Sequence, residues 1–227
     1  MIDDGVVVNG AAKRFGRRWA LRGASFEARP GAAVALMGRN GSGKTTLLRI
    51  VATALRPTRG SGTVFGHDLL KGAERIRGQV GALLHAPGVY GDLTARENLE
   101  FARRMWGGSS AVGVDGALER VGLVAAADER ASGFSSGMTR RLSLARLVMR
   151  PPRLMLLDEP YASFDADGIE LVNELVRETV SRNGIALIAT HDPERSSAVV
   201  DDVITLEQGR VVPNPDGAPR LRAKVVK

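Results

Sequence analysis

Eight consecutive residues, Gly38-Arg39-Asn40-Gly41-Ser42-Gly43-Lys44-Thr45, satisfy the pattern G-x-x-x-x-G-K-[ST]. Glycines at this spacing let backbone N–H groups point inward at phosphate oxygens, and a helix opening there aims its positive dipole end at the same charge. Lys44 then reaches the β- and γ-phosphates of a nucleoside triphosphate, and the Thr45 hydroxyl ligates Mg²⁺. The binding set is Gly38, Asn40, Gly41, Ser42, Gly43, Lys44, Thr45 and Thr46. The alternative is a glycine-rich turn that merely joins a strand to a helix. The apolar run before it and Thr46-Leu47-Leu48-Arg49-Ile50 after it favour the phosphate cradle.

A second chemical pair closes the run Leu154-Met155-Leu156-Leu157. Asp158 can hold the Mg²⁺ shell, and Glu159 stands where a carboxylate could polarise an attacking water before Pro160 breaks the strand. Without the cradle, the same two acids would read as an ordinary exposed strand end.

These residues need elements to bring them together. Ala33-Val34-Ala35-Leu36-Met37, Leu154-Met155-Leu156-Leu157 and Ile185-Ala186-Leu187-Ile188-Ala189 are short and continuously apolar, as strands buried on both faces of a parallel sheet should be. They end in Gly38, in Asp158-Glu159 and in Thr190-His191. Ligands of open α/β sheets gather at the carboxyl ends of strands, so the three endings are expected to converge. Residues 5–32 suggest two or three short strands forming an antiparallel flank, and about 72–150 suggest a helical insertion that ends at Pro151-Pro152. A helix is expected from about Ala166 to Arg182, with Ile169, Val172, Leu175, Val176 and Val180 on one face and Asn183-Gly184 as its stop.

The 227 residues suffice for a sizeable core, and zero cysteines exclude disulfides and Cys-ligated metals. The three histidines are scattered too widely in sequence to suggest a metal site. No apolar stretch is long enough to cross a membrane, and Met1-Ile2-Asp3-Asp4 opens with acids rather than the positive charge of a secretion signal, so a cytoplasmic chain is expected. The net charge of +7 comes from short pairs such as Arg17-Arg18, Arg103-Arg104 and Arg140-Arg141 without interleaved aromatics, which reads as solvated surface and argues against a nucleic-acid partner.

Phe134-Ser135-Ser136-Gly137-Met138, lying before the Asp-Glu strand, resembles the signature segment of ABC ATPases, usually Leu-Ser-Gly-Gly-Gln. The resemblance covers about residues 5–211. It implies an α/β fold, a P-loop NTPase core with an antiparallel β flank and a helical subdomain, as a single domain over 1–211 with a short basic tail at 212–227. It also implies ATP and Mg²⁺ as cofactors, a homodimer or pseudo-dimer, a transmembrane permease as partner, and a place on the inner face of the cell membrane. In this family Ser135 and Gly137 would cap the γ-phosphate held by the other protomer; small residues at a helix N-terminus suit an anion, although a Ser-Ser-Gly there can also be only a helix cap. Phe15 resembles the aromatic that stacks on adenine, with Trp19 as rival; His191 resembles the switch histidine that orients the water. Ala162-Ser163-Phe164-Asp165 resembles the segment through which protomers sense each other, and Asp165 could equally cap the next helix.

Met138 and Phe134 depart from the signature, and His85 stands where the family's Mg²⁺-linked glutamine is usual; imidazole suits so hard an ion better through a water. His85-Ala86-Pro87-Gly88 and Asp165-Ala166-Asp167-Gly168 are similar to the ATP-binding subunit of the haem exporter of cytochrome c maturation, with Val89 and Tyr90 open to a membrane partner. Exporters of drugs, lipids or polysaccharide, and a soluble ATPase of the same family, are the alternatives. A GTPase would need an Asn-Lys-x-Asp segment, and a small-molecule kinase leaves Phe134 to Met138 unexplained.

Overall fold

The structure, a computed structural model, describes residues 5–84 and 88–213; His85 and the tail from 214 onward lie outside the described residues. In chain order the elements are β1 (Val6–Phe15), β2 (Arg18–Ala28), β3 (Ala32–Met37), α1 (Lys44–Val51), β4 (Arg59–Val64), β5 (His67–Asp68), α2 (Ala73–Arg77) and β6 (Val80–Leu83). There follow α3 (Ala95–Met105), α4 (Val114–Arg120), α5 (Ser136–Met149), β7 (Leu154–Asp158), α6 (Ala166–Ser181), β8 (Ile185–Ala189), α7 (Pro193–Ser196), β9 (Asp202–Glu207) and β10 (Arg210–Val212).

The strands form two sheets, an antiparallel one in the order β2-β1-β4-β5 and a six-stranded one in the order β10-β9-β3-β8-β7-β6. Within the second, β9, β3, β8, β7 and β6 run parallel and β10 closes the edge antiparallel. The three apolar runs are its adjacent strands β3, β8 and β7, in register from Ala32 opposite Ile185 and from Leu154 opposite Ile185. Side chains of a strand alternate between faces, which splits these runs between two cores. Met155, Leu157, Ala186 and Ile188 pack with the helical side, α3 to α6. Leu154, Leu156, Leu187, Val34 and Leu36 pack with α1 and the antiparallel sheet. Each such fully buried leucine contributes roughly 2 kcal/mol from apolar burial.

Two expectations need correction. Residues 5–32 hold two strands, within the two or three expected, but they are long, 10 and 11 residues, because bulges along β1 let one strand bend without ending. The stretch assigned to helices contains β6, which pairs parallel to β7 at the sheet edge. Its four residues, Val80-Gly81-Ala82-Leu83, are apolar but too few, and with a glycine inside too weak in strand preference, to separate it from the helical stretch around it. The helix expected near 166–182 runs Ala166–Ser181, capped by Asp165, whose side chain accepts from Gly168 N; it stops at Asn183, left-handed at φ 60°.

Candidate active site

The carboxyl ends of β3, β7 and β8 meet at an open cleft of about 680 Å³. Phe15, Arg18, Asn40, Gly41, Gly43, Lys44, Thr45, Thr46, Arg140, Asp158, Glu159 and His191 are among the residues that line it. The glycine loop joins β3 directly to α1, and its backbone accounts for its composition. Gly43, at φ 114°, lies so close to the Ala20 carbonyl and the Leu21 side chain that a Cβ would sit 2.7 Å from each. Gly38, at φ 142°, would place a Cβ 2.3 Å from the Leu206 carbonyl oxygen. Any side chain at either position would displace the loop. Gly38 and Ser42 lie behind the cleft rather than on its wall.

Lys44 is 6% exposed, and its Nζ donates to the Gly38 carbonyl at 2.6 Å while standing 3.6 Å from Glu159 Oε1, an ion pair too long for a hydrogen bond. Glu159 follows β7 in the left-handed region at φ 48°, where a residue with a Cβ is strained, and its N–H donates to the Ala189 carbonyl at 2.8 Å. Its Oε2 is 2.9 Å from His191 Nδ1. An ionised carboxylate can only accept, so Nδ1 carries the proton and donates. Asp158 is buried, and its Oδ1 has no hydrogen-bond partner within the protein, nor do Glu159 Oε1 and Ser42 Oγ. Orphaned carboxylate oxygens cost free energy unless a cation or donor reaches them. Glu159 Oε1 has the Lys44 ammonium beside it, so the Asp158 oxygen, in the same cleft as Thr45, is the one that fits Mg²⁺ carried by a triphosphate.

Phe15 lines the cleft, 52% exposed, whereas Trp19 does not, its ring lying under Arg14 instead. Ser135 and Gly137 are not among the residues that line the cleft of their own chain; they open α5. The Ser135 hydroxyl is not wholly free, since Oγ accepts from Met138 N at 3.2 Å, but its hydrogen remains to donate. Val89 packs against the helical core rather than standing open, while Tyr90 is 52% exposed.

Sequence reasoning missed Arg18 and Arg140, which it assigned to solvated pairs. Both line the cleft, and Arg140 Nη1 donates to the Glu159 carbonyl at 2.9 Å. Desolvation lowers the Arg140 pKa, while the charges of Asp158 and Glu159 act the other way. The signal available for Arg140 was its place five residues after Ser135, on the helix that follows the signature segment.

A family model described as ABC transporter matches residues 21–162. The chain is similar to the cytochrome c biogenesis ATP-binding export protein CcmA 2 of Cupriavidus metallidurans, 39% identical over 186 residues, which cover 82% of this chain and 88% of that one. It is also similar to the daunorubicin resistance ATP-binding protein DrrA3 of Streptomyces coeruleorubidus, 34% identical over 93% of this chain and 68% of that one. Among solved structures it is similar in fold to a dimeric ATP-binding cassette in a post-hydrolysis state bound to ADP and Pi. The TM-score is 0.81 and the identity 23%, with 91% of this chain and 96% of that one covered.

Proposed function

The chain belongs to the ABC transporter family and is an ATPase of it, and on that footing we propose that two copies close around ATP and drive a separate membrane subunit, serving haem export in cytochrome c biogenesis. The observation that carries the hydrolytic part is the meeting of Lys44, Glu159 and His191 at one cleft behind the glycine loop. Lys44 exchanges its contact with Glu159 for the β- and γ-phosphates, and Thr45 with Asp158 would hold Mg²⁺, which when bound would supply positive charge against the phosphates. Phe15 offers its exposed face to the adenine ring. Freed of Lys44, the Glu159 carboxylate accepts a proton from the attacking water. His191, itself on the cleft wall, holds that carboxylate through Nδ1–H. His85 keeps its assignment as a water-bridged neighbour of Mg²⁺, by resemblance alone. Ser135 and Gly137, off their own chain's cleft and at the start of α5, serve as the cap for the γ-phosphate of the second copy, which the positive end of that helix suits.

No helix among the described residues is long and apolar enough to cross a membrane. The work is therefore assigned to a permease partner, with this chain peripheral on the cytoplasmic face. Exposed Tyr90, Phe101 and Met105 supply an apolar surface for that partner, the first two in edge-to-face contact at 5.1 Å. The 39% relative supports haem export over drug export, and the daunorubicin-resistance relative keeps the second reading in view. Lys44→Ala is expected to abolish Mg-ATP hydrolysis through lost phosphate binding. Glu159→Gln should bind ATP yet turn over at least about 10²-fold more slowly. Equal turnover in wild type and Glu159→Gln removes Glu159 as the base. Normal c-type cytochrome maturation in cells lacking the chain, together with new drug sensitivity, selects the second reading.

A further inference from the structure

Segment 159–165 is gripped by α5 at several points. Arg140 donates to the carbonyl of Glu159 at 2.9 Å. Its neighbour Arg141 donates through Nη2 to Asp165 Oδ1 at 2.9 Å and through Nη1 to the Val121 carbonyl at the end of α4 at 3.1 Å. Between these, Gly137 lies so near Ser163 that a Cβ would stand 3.2 Å from its carbonyl oxygen. Two residues of the gripped segment, Glu159 at φ 48° and Ser163 at φ 66°, hold left-handed backbone that persists only where surroundings enforce it. Glu159 has its N–H fixed to Ala189 and its carbonyl fixed to Arg140, so both peptide groups that define this conformation are tied.

Arg140 itself makes no ion pair among the described residues. Its desolvation is opposed by the nearby charges of Asp158 and Glu159, and its hydrogen bond to the Glu159 carbonyl is a charged one, stronger than a neutral bond would be. We infer that Arg140 is a positioning residue, which aims the Glu159 carboxylate by clamping its carbonyl and ties that aim to α5, the helix that opens with Ser135 and Gly137. Since that helix end is assigned to the opposite ATP, movement of α5 on capping re-aims Glu159 in its own cleft, with Arg140 as the contact on Glu159 itself. The inference rests on Glu159 acting as the base.

The test compares steady-state ATP hydrolysis by the full chain as wild type, Arg140→Met, Arg140→Lys, Glu159→Gln and Glu159→Gln/Arg140→Met, each with a melting curve. Misplacement of a reacting group by a fraction of an ångström to an ångström costs about 10- to 100-fold. Arg140→Met should therefore lower kcat at least about tenfold with KM for ATP within about twofold, and Arg140→Lys, which keeps a donor, should recover part of it. Because the arginine acts through Glu159, adding Arg140→Met to Glu159→Gln should slow single turnover no further. A rise in KM with kcat preserved would overturn the inference by making Arg140 a phosphate ligand, and so would an additive loss in the double variant. Should Arg140→Met fail to fold, wild-type kcat in a folded Arg140→Ala, or no recovery in a folded Arg140→Lys, overturns it. A wild type without ATPase activity overturns the hydrolysis reading and this inference with it.

Discussion

Two residues after Glu159, Tyr161 is buried at 3% exposure and its hydroxyl donates to Asn173 Oδ1 at 3.0 Å. Desolvation pushes its pKa from 10.0 up to about 12, with the Arg177 charge opposing. Above about pH 10 the unfolded chain releases this proton while the folded chain keeps it, so the unfolded state binds fewer protons and stability falls with rising pH until about pH 12. Tyr161→Phe should lose about 1 kcal/mol at neutral pH from the orphaned Asn173 oxygen, yet melt less steeply downward between about pH 10 and 12. Melting curves of both proteins across that range decide it; parallel declines would assign the alkaline loss to other groups. At this scale the cradle and the Asp-Glu pair were legible, because their chemistry is local and their spacing short. Arg18 and Arg140 were not. An arginine's sequence neighbours say nothing about which carbonyl it reaches across the fold, and the left-handed turn at Glu159 is imposed by partners on β8 and α5.

Among the elements, α3 is secured at its start by a capping box, with Glu97 N donating to Thr94 Oγ1 at 3.1 Å and Thr94 N to Glu97 Oε2 at 2.8 Å. Directly inside it, Asn98 is fully buried; its Oδ1 accepts from Tyr90 N at 2.8 Å and its Nδ2 donates to the carbonyls of Tyr90 and Thr94, each at 2.9 Å. One amide thus fastens the segment that carries exposed Tyr90 to the helix that carries Phe101. Asn98→Ala should destabilise by roughly 1–3 kcal/mol, because the backbone groups it served lose their partners. A fall in Tm on the order of 5 °C is expected, and an unchanged melt would mean that water replaces the amide. The strands β3, β7 and β8 were legible as continuous apolar runs, and α6 from its period and its Asn-Gly stop. β6 was invisible, since four residues with a central glycine acquire strand character only from pairing with β7. β1 and β2 read as fragments because bulges interrupt their alternation.

For the molecule as a whole, the cleft is lined from one chain but its assigned cap lies elsewhere on the surface, which is the physical reason to expect assembly. Glu159→Gln with ATP should elute as a dimer in size-exclusion chromatography with light scattering. The N-cap bond from Met138 to Ser135 guides the choice of a second change. Aspartate is also a good N-cap, so Ser135→Asp preserves the start of α5 while setting a negative charge against phosphate. Added to Glu159→Gln, it should leave the protein folded and return it to monomer in ATP. A persistent dimer would detach Ser135 from the assembly.

The placement of β8 between β3 and β7 also bears on biosynthesis. As the polypeptide emerges, the glycine loop at the end of β3 and the acids at the end of β7 are both present before residues 185–189 exist, yet those strands are not neighbours. They are joined only when β8 slots between them and supplies the Ala189 carbonyl that fixes Glu159. A chain that ends before residue 185 therefore lacks the strand that holds β3 beside β7 and the carbonyl that fixes Glu159, and is expected to hydrolyse no ATP.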